Sequence, residues 1–421
     1  MRKSTRKVVG IVAALAFVAG ACGSDDDEGS DTTEAPADEG SDTTEAAADD
    51  GSATTEAAAD DGGDAAAAGD GGSIWVLLPD TATSPRWEQD DRRFFQQAFE
   101  EAGLSEGDDF TIVNAEGDGQ VQLSQAEQAI NDGASVIVLT SNDSGTGAAI
   151  IEVAQAGGAK VVEYDRFNNE GPPSGDVYVS FDNEAVGRTM AETLEPEIDA
   201  LGVDQAQIVM LNGGPTDNNS TLFRNGYAET VEARADAGEW AIVDDQFTPD
   251  WDGAQGQAIF DQVLVAANNE VDAVFAANDN LAQAVISSLD TAGIDPTTVP
   301  ISGQDASVTG IQNVLLGKQT MSVYKPIQPE ARVAADAALA LRAGEDVLSL
   351  TGDDFVIIGI NADGTPAESP DGDGVVPYLA LTPTAVTADN VAETVIADGF
   401  RTVAELCEGD TAETDFCQEN S

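Results

Sequence analysis

From residue 73 onward the chain alternates short apolar runs with amphipathic stretches, a pattern that few folds accommodate. The run Ile74-Trp75-Val76-Leu77-Leu78 ends at Pro79, and Phe95, Ala98, Phe99 and Ala102 then recur at helical spacing. The same reading places strands at 74–78, 111–113, 136–140, 161–164, 208–211, 241–243, 273–276 and 321–324, and helices at 88–102, 121–130 and 148–156. Apolar strands separated by amphipathic helices imply parallel sheets covered on both faces, an α/β fold. One sheet of this length would be unusually wide, so two doubly wound, Rossmann-like lobes are expected.

Composition removes several function classes. Seventy-eight acidic against 17 basic side chains give a formal net charge of −61. Nucleic acid is not an expected partner, because binding it needs basic patches that displace counterions. The chain has no histidine, which excludes a Ser-His-Asp or Cys-His nucleophile and the commonest zinc ligand. No cofactor and no metal site are expected.

The N-terminus reads as an export signal over 1–21. Arg2, Lys3, Arg6 and Lys7 precede an apolar stretch from Val8 to Gly20 that is short for a bilayer span. Val18-Ala19-Gly20-Ala21-Cys22 resembles a lipobox, with Ala19 in place of the usual leucine. Cys22 is thus the expected lipid-attachment site; ordinary signal cleavage with Cys22 as a bystander is the alternative. Residues 22–72 then form an acidic tether with 17 acidic and no basic side chains between Ser24 and Gly72. An eleven-residue repeat, Ser30-Asp31-Thr32-Thr33-Glu34-Ala35 and its copies at Ser41 and Ser52, offers only alanine to a core. Such a segment is expected to be disordered and self-repelling, with a span of roughly 40 Å or more. A calcium-binding role for the acidic run is a minority reading.

Cys407 and Cys417, in an exported chain, are expected to form a small structural disulfide. Free thiols or metal ligands are the alternatives, the latter weakened by the lack of histidine and of a CxxC.

Where the strands end, polar groups collect. In so acidic a chain the placement of each cation is informative. Arg86 lies beside Trp87 after the first strand, Arg166 follows Asp165, and Lys325 precedes Pro326. Asp217, Asn218 and Asn219 follow one apolar run, Asn278 and Asp279 another, and Asp305 lies beyond a third. Turn chemistry or helix capping explains any one of these, but less well the whole set at equivalent strand ends. Trp87 and Trp251 stand among them as caps on the core or as ligand platforms. An aromatic face packs on the C–H patches of a pyranose, and planar charged or amide groups hold adjacent hydroxyls. No nucleophile with an adjacent base and no GxxxxGK[ST] occurs, so binding without chemistry is the better reading.

From Ile74 to about Glu405 the chain resembles the D-xylose-binding proteins of ABC sugar importers, within the ribose/galactose-type periplasmic binding proteins. The motifs that carry the resemblance are Arg86-Trp87, Tyr164-Asp165-Arg166, Ser180-Phe181-Asp182-Asn183-Glu184, Gly213-Gly214-Pro215-Thr216-Asp217-Asn218-Asn219, Leu222-Phe223-Arg224-Asn225-Gly226, Asn278-Asp279, Ser302-Gly303-Gln304-Asp305 and Val323-Tyr324-Lys325-Pro326. The resemblance implies two lobes joined by three crossing strands, one lobe from 73–183 and 326–378, the other from 184–325 and 379–421. It implies that Trp87 and Trp251 sandwich the sugar. Arg86, Asp165 and Arg166 would bind hydroxyls from the first lobe, and Asp217, Asn218, Asn219 and Asn278 from the second. Asp305 and Lys325 would lie close to the hinge.

Residues 361–374 are longer than the family's connection there; a solvated loop is expected, with a calcium site as the lesser reading. The resemblance further implies a monomeric, lipid-anchored receptor on the outer face of the cell membrane that serves an ABC permease and its ATPase. Its ligand would be D-xylose or another aldose: ribose, glucose, galactose or arabinose. A sugar sensor for a membrane receptor is the alternative use of the same fold. A transcriptional repressor would need a basic helix-turn-helix start, and a glycosidase paired catalytic carboxylates.

Overall fold

The computed structural model describes residues 71–81, 84–169, 174–361, 365–367 and 376–420. The export signal, Cys22 and the acidic tether to residue 70 lie outside the described residues, as does most of the 361–374 loop.

The first sheet grows from β1 (Ser73–Leu78), β2 (Phe110–Asn114), β3 (Ala134–Leu139), β4 (Lys160–Tyr164) and β5 (Val177–Phe181). Helices α1 (Arg92–Glu101), α2 (Gly119–Asn131) and α3 (Ser144–Ala156) connect the first four. Successive side chains of a strand face opposite sides, and β1 divides accordingly. Ile74, Val76 and Leu78 join the core with Phe95 and Phe99 of α1, whereas Trp75 and Leu77 join Ala126, Ile150 and Ile151 of α2 and α3. Both faces are therefore covered, which is why these strands carry apolar residues at every position.

After β5 the chain crosses into a second layer: α4 (Asn183–Ala200), β6 (Ala206–Asn212), α5 (Asn218–Asp236), β7 (Trp240–Phe247), α6 (Gly253–Ala266), β8 (Ala273–Ala276), α7 (Asp279–Ala292), α8 (Val308–Leu315) and β9 (Ser322–Tyr324). It returns with α9 (Ile327–Ala343), which packs on β3, β4 and β5. Next come β10 (Val356–Ile360), β11 (Pro366–Ala367) and β12 (Val376–Leu381). It leaves again through β13 (Thr384–Val386), which pairs with β9, and ends in α10 (Val403–Leu406) and α11 (Asp415–Asn420). Cys407 and Cys417 are disulfide-bonded in this last segment.

The first sheet has the order β11-β10-β12-β5-β4-β3-β1-β2, the second β7-β6-β8. Single bridges from Ile301 to Val274 and from Gln304 to Val323 carry the second sheet across to β9 and β13. Three features depart from the expectation. β10 and β11 run antiparallel to their neighbours, because a hairpin needs no crossover helix. β12 stays in the first sheet to Leu381, three residues past the expected crossing at Tyr378. β7 extends to Phe247 through Asp244 and Asp245, polar residues that break the apolar pattern but are tolerated on an edge. Asp245 there receives Arg224 and Asn212.

One buried acid in this framework carries a pH prediction. Glu163 of β4 is fully buried, and its carboxylate accepts from Asn168 N and Nδ2 and from Gly175 N at 2.7–2.8 Å. Burial nevertheless pushes it up to about 7, because three donors do not replace bulk water. The folded state thus holds this proton more tightly than the unfolded chain. The associated stability is present below the ordinary value of 4.5 and is lost as pH rises through about 7. Its size is about 3 kcal/mol. Asp279, pushed by burial to about 6, adds to the same slope. Urea unfolding between pH 4.5 and 7 should show falling stability for the wild type and a flatter profile for Glu163→Gln; identical slopes would refute the assignment.

Candidate functional site

The carboxyl ends of both sheets converge on one tightly closed cavity of about 30 Å³. Two of its residues are helix caps as well as wall. Asp217 accepts Asn219 N at the start of α5, and Asn278 accepts Leu281 N at the start of α7. Capping and lining are therefore not competing explanations: the cap fixes one oxygen and leaves the rest of the group for the cavity.

At the centre lies Asp165, directly after β4. Its carboxylate meets Arg86 at 3.0 Å, Lys325 at 3.1 Å and Asn219 Nδ2 at 3.2 Å. Burial alone would raise this acid, but Lys325, Arg86 and Arg166 outweigh it and hold Asp165 well below the usual carboxylate range. Its backbone is in the left-handed region, φ 59°, which disfavours a residue with a Cβ. The geometry is enforced by its carbonyl, which accepts Tyr178 Oη, Ser180 Oγ and Asn219 Nδ2 at 2.8–2.9 Å. Trp251 (φ 55°) and Asp305 (φ 91°) are held in the same region. Backbone strain of this kind gathers at ligand sites, where surrounding contacts maintain it.

Trp251 is positioned by the two glycines that follow β6. A Cβ on Gly213 would overlap the indole, and one on Gly214 would approach Cδ1 to 2.9 Å. The ring therefore lies against bare backbone, meets Phe223 edge-on at 6.3 Å and donates Nε1 to Asp217 Oδ2 at 3.1 Å. Across the cavity, Trp87 carries the guanidinium of Arg86 over its ring at 4.2 Å and that of Arg166 at 5.4 Å. Two polar atoms on wall residues, Trp87 Nε1 and Gln304 Oε1, are buried without a hydrogen-bond partner among the described residues.

The lobes are closed on each other. Arg166 Nε pairs with Asp217 Oδ2 at 3.1 Å, and Ser84 Oγ donates to Asp305 at 3.2 Å. Asn169 Nδ2 donates to Asn218 Oδ1 at 2.6 Å, and Ser144 N to the Thr216 carbonyl at 3.1 Å. Burial raises Asp217, and Arg166 acts against that rise.

Of the residues expected from the sequence, Arg86, Trp87, Asp165, Arg166, Asp217, Asn219, Trp251, Asn278, Asp305 and Lys325 all line this cavity. Asn218 does not. Its side chain points to Asn169, because the first turn of α5 aims consecutive residues in different directions. Arg86 has a second set of partners beneath the wall: Asp91 at 2.8 Å and Glu330 at 3.2 Å, both fully buried. Burial raises Asp91 and lifts Glu330 well above the usual range. Three wall residues were not singled out from the sequence: Ser84, Phe223 and Gln304. Phe223 and Gln304 lie inside motifs already noted, whereas Ser84 had no signal.

Residues 75–346 match the model of the periplasmic binding protein domain. The chain is similar to the D-xylose-binding periplasmic protein of Escherichia coli, 35% identical over 321 residues, covering 76% of this chain and 88% of that protein. It is also similar to the multiple sugar-binding periplasmic protein of Azospirillum brasilense, at 30% identity over 80% of this chain and 92% of that one. Its fold is shared with a carbohydrate transporter solute-binding protein of Chloroflexus aurantiacus in complex with D-glucose. That likeness has a TM-score of 0.68 at 24% identity, over 79% of this chain and 97% of that one.

Proposed function

The chain belongs to the periplasmic binding protein family, and from that premise we propose that it is an extracytoplasmic receptor, anchored through Cys22, that closes on D-xylose for an ABC importer. It is a sugar-binding component of transport and not an enzyme. One observation carries the proposal furthest: a single cavity receives Trp87, Asp165 and Arg166 from one sheet's carboxyl end and Trp251, Asp217 and Asn278 from the other's. A ligand there is held only while the lobes are together.

The chemistry suits a polyol with apolar faces. The indoles offer surfaces to C–H patches, and the carboxylates, amides and cations offer both acceptors and donors to hydroxyls that need both. Arg166–Asp217 and Asn219–Asp165 are pairs between which a hydroxyl can bridge, receiving from one partner and donating to the other. Trp87 Nε1 in the first lobe and Gln304 Oε1 in the second are a further donor and acceptor on residues that line the cavity. Closure excludes water, so each of these bonds is stronger than it would be in the open cleft. Hinge crossings near Asn183, at Lys325 and between Leu381 and Thr384 allow the motion. Passage across the membrane then depends on a permease and an ATPase on other subunits.

Calorimetric titration of the purified protein with D-xylose, ribose, glucose, galactose and arabinose tests the reading. Saturable binding at one site, tightest for D-xylose, is the expected result. Tighter binding of another aldose would overturn the assignment of xylose and keep that of a sugar receptor. No binding of any of them would refute both.

A further inference from the structure

We propose that the ion pair between Asp90 and Arg401 is a latch that sets how readily the lobes close, and that it scales affinity for every ligand by one common factor. The inference rests on the reading above, that a sugar is held between the lobes. Asp90 lies in the turn Trp87–Asp91 of the first lobe. Arg401 lies 311 residues later, in the C-terminal segment, beyond the residues 75–346 that match the domain model. That segment is held to the second lobe by several contacts. Arg401 Nε donates to the Ala306 carbonyl at 2.9 Å, and Gln312 Nε2 of α8 donates to the Glu405 carbonyl at 3.1 Å. Thr402 and Glu405 form a reciprocal cap on α10, and the Cys407–Cys417 disulfide closes the end of the chain.

The pair is two-pronged and almost fully buried. Arg401 Nη1 and Nη2 both reach Asp90 Oδ2 at 3.2 Å, and Nη1 reaches Oδ1 at 3.3 Å. The residues are only 3% and 8% exposed, and the guanidinium lies over the Phe400 ring at 3.7 Å. Arg93, from Asp90's own lobe, donates to the same carboxylate at 2.8 Å, so opening leaves Asp90 with one cation rather than none. Neither Asp90 nor Arg401 lines the ligand cavity. They lie on the wall of a larger crevice, of about 340 Å³, that adjoins it and shares Ser84, Arg86, Asn278 and Asp305 with it.

A contact made in the closed form and lost in the open one raises the closed population without touching ligand. Apparent affinity falls in proportion to the binding-competent fraction, whatever the ligand. Removing one partner of a desolvated charge pair across such a junction is expected to weaken binding by about tenfold or more. Side chains that touch the sugar would behave differently, because their loss depends on which hydroxyls the sugar presents.

The test titrates wild type, Asp90→Asn, Arg401→Gln and Arg401→Lys with D-xylose and with D-glucose. It also measures the radius of gyration by small-angle scattering without sugar, and thermal unfolding. Asp90→Asn and Arg401→Gln should raise both dissociation constants by the same factor and shift the unliganded protein towards an open form, with Arg401→Lys recovering part of the loss. Unchanged affinity, or a loss confined to one sugar, would overturn the latch. So would a fall in unliganded melting temperature with no change in radius. Failure of the wild type to bind these two or any of the other three aldoses would overturn the proposed function, and the latch with it.

Discussion

Replacing Arg86 with methionine is expected to lower stability by about 3–5 kcal/mol, the usual cost of breaking a buried charge cluster from one side. The guanidinium touches Asp91, Asp165 and Glu330 at 2.8, 3.0 and 3.2 Å, and none of the four side chains is more than 4% exposed. Its removal leaves three buried carboxylates facing Lys325, which reaches only Asp165. Glu330 is the natural site of relief, because burial already lifts it well above the usual range and favours its neutral form. Glu330→Gln should therefore cost much less than Arg86→Met. Urea unfolding of the two variants measures the difference, and Arg86→Lys, which keeps the charge and loses the fork, should fall between wild type and Arg86→Met. An Arg86→Met protein within about 1 kcal/mol of wild type would show that the cluster does not depend on this cation.

Trp251→Ala is expected to weaken sugar binding by roughly thirtyfold to a thousandfold, the range of a buried aromatic anchor worth about 2–4 kcal/mol. The indole is 6% exposed, lies against Gly213 and Gly214, and fixes Asp217 through Nε1. Its loss removes a platform and, at once, one of the three groups that hold Asp217, leaving Arg166 and Asn219 N. Gly213→Ala tests the same surface from behind: the added Cβ overlaps the ring and must displace it, so affinity should fall although no ligand-facing group has changed. Titration of both variants, with thermal unfolding as a check on folding, measures this. Wild-type affinity in Trp251→Ala would show that the platform lies elsewhere.

Much of this site was legible because local chemistry marked it. Short polar groups after apolar strands, at Asp165, Asp217 and Asn278, are strong signals in one dimension, and each sits where a strand's carboxyl end delivers it. What escaped notice is held together across the chain. Ser84 meets Asp305 from 221 residues away, Arg86 meets Glu330 from 244, and Arg401 meets Asp90 from 311. No periodicity records such pairings. Glu330 and Asp91 were hidden by their places in helical stretches, where an acid ordinarily faces solvent. The strain at Asp165, Trp251 and Asp305 was hidden too, since nothing in an aspartate or a tryptophan announces a positive φ. Phe223 was hidden by its type, because an apolar residue in a helix reads as core, and here it serves core and cavity together. The hairpin of β10 and β11 escaped notice because short strands without a crossover helix lack the alternation that revealed the rest.

A crystal structure of the protein grown with D-xylose tests the central claim most directly. The account predicts a pyranose between Trp87 and Trp251, hydrogen-bonded to Asp165 and Arg166 on one side and to Asp217 and Asn278 on the other, with the lobes closed. A sugar bound outside this cavity, or lobes that stay apart with the sugar present, would contradict it.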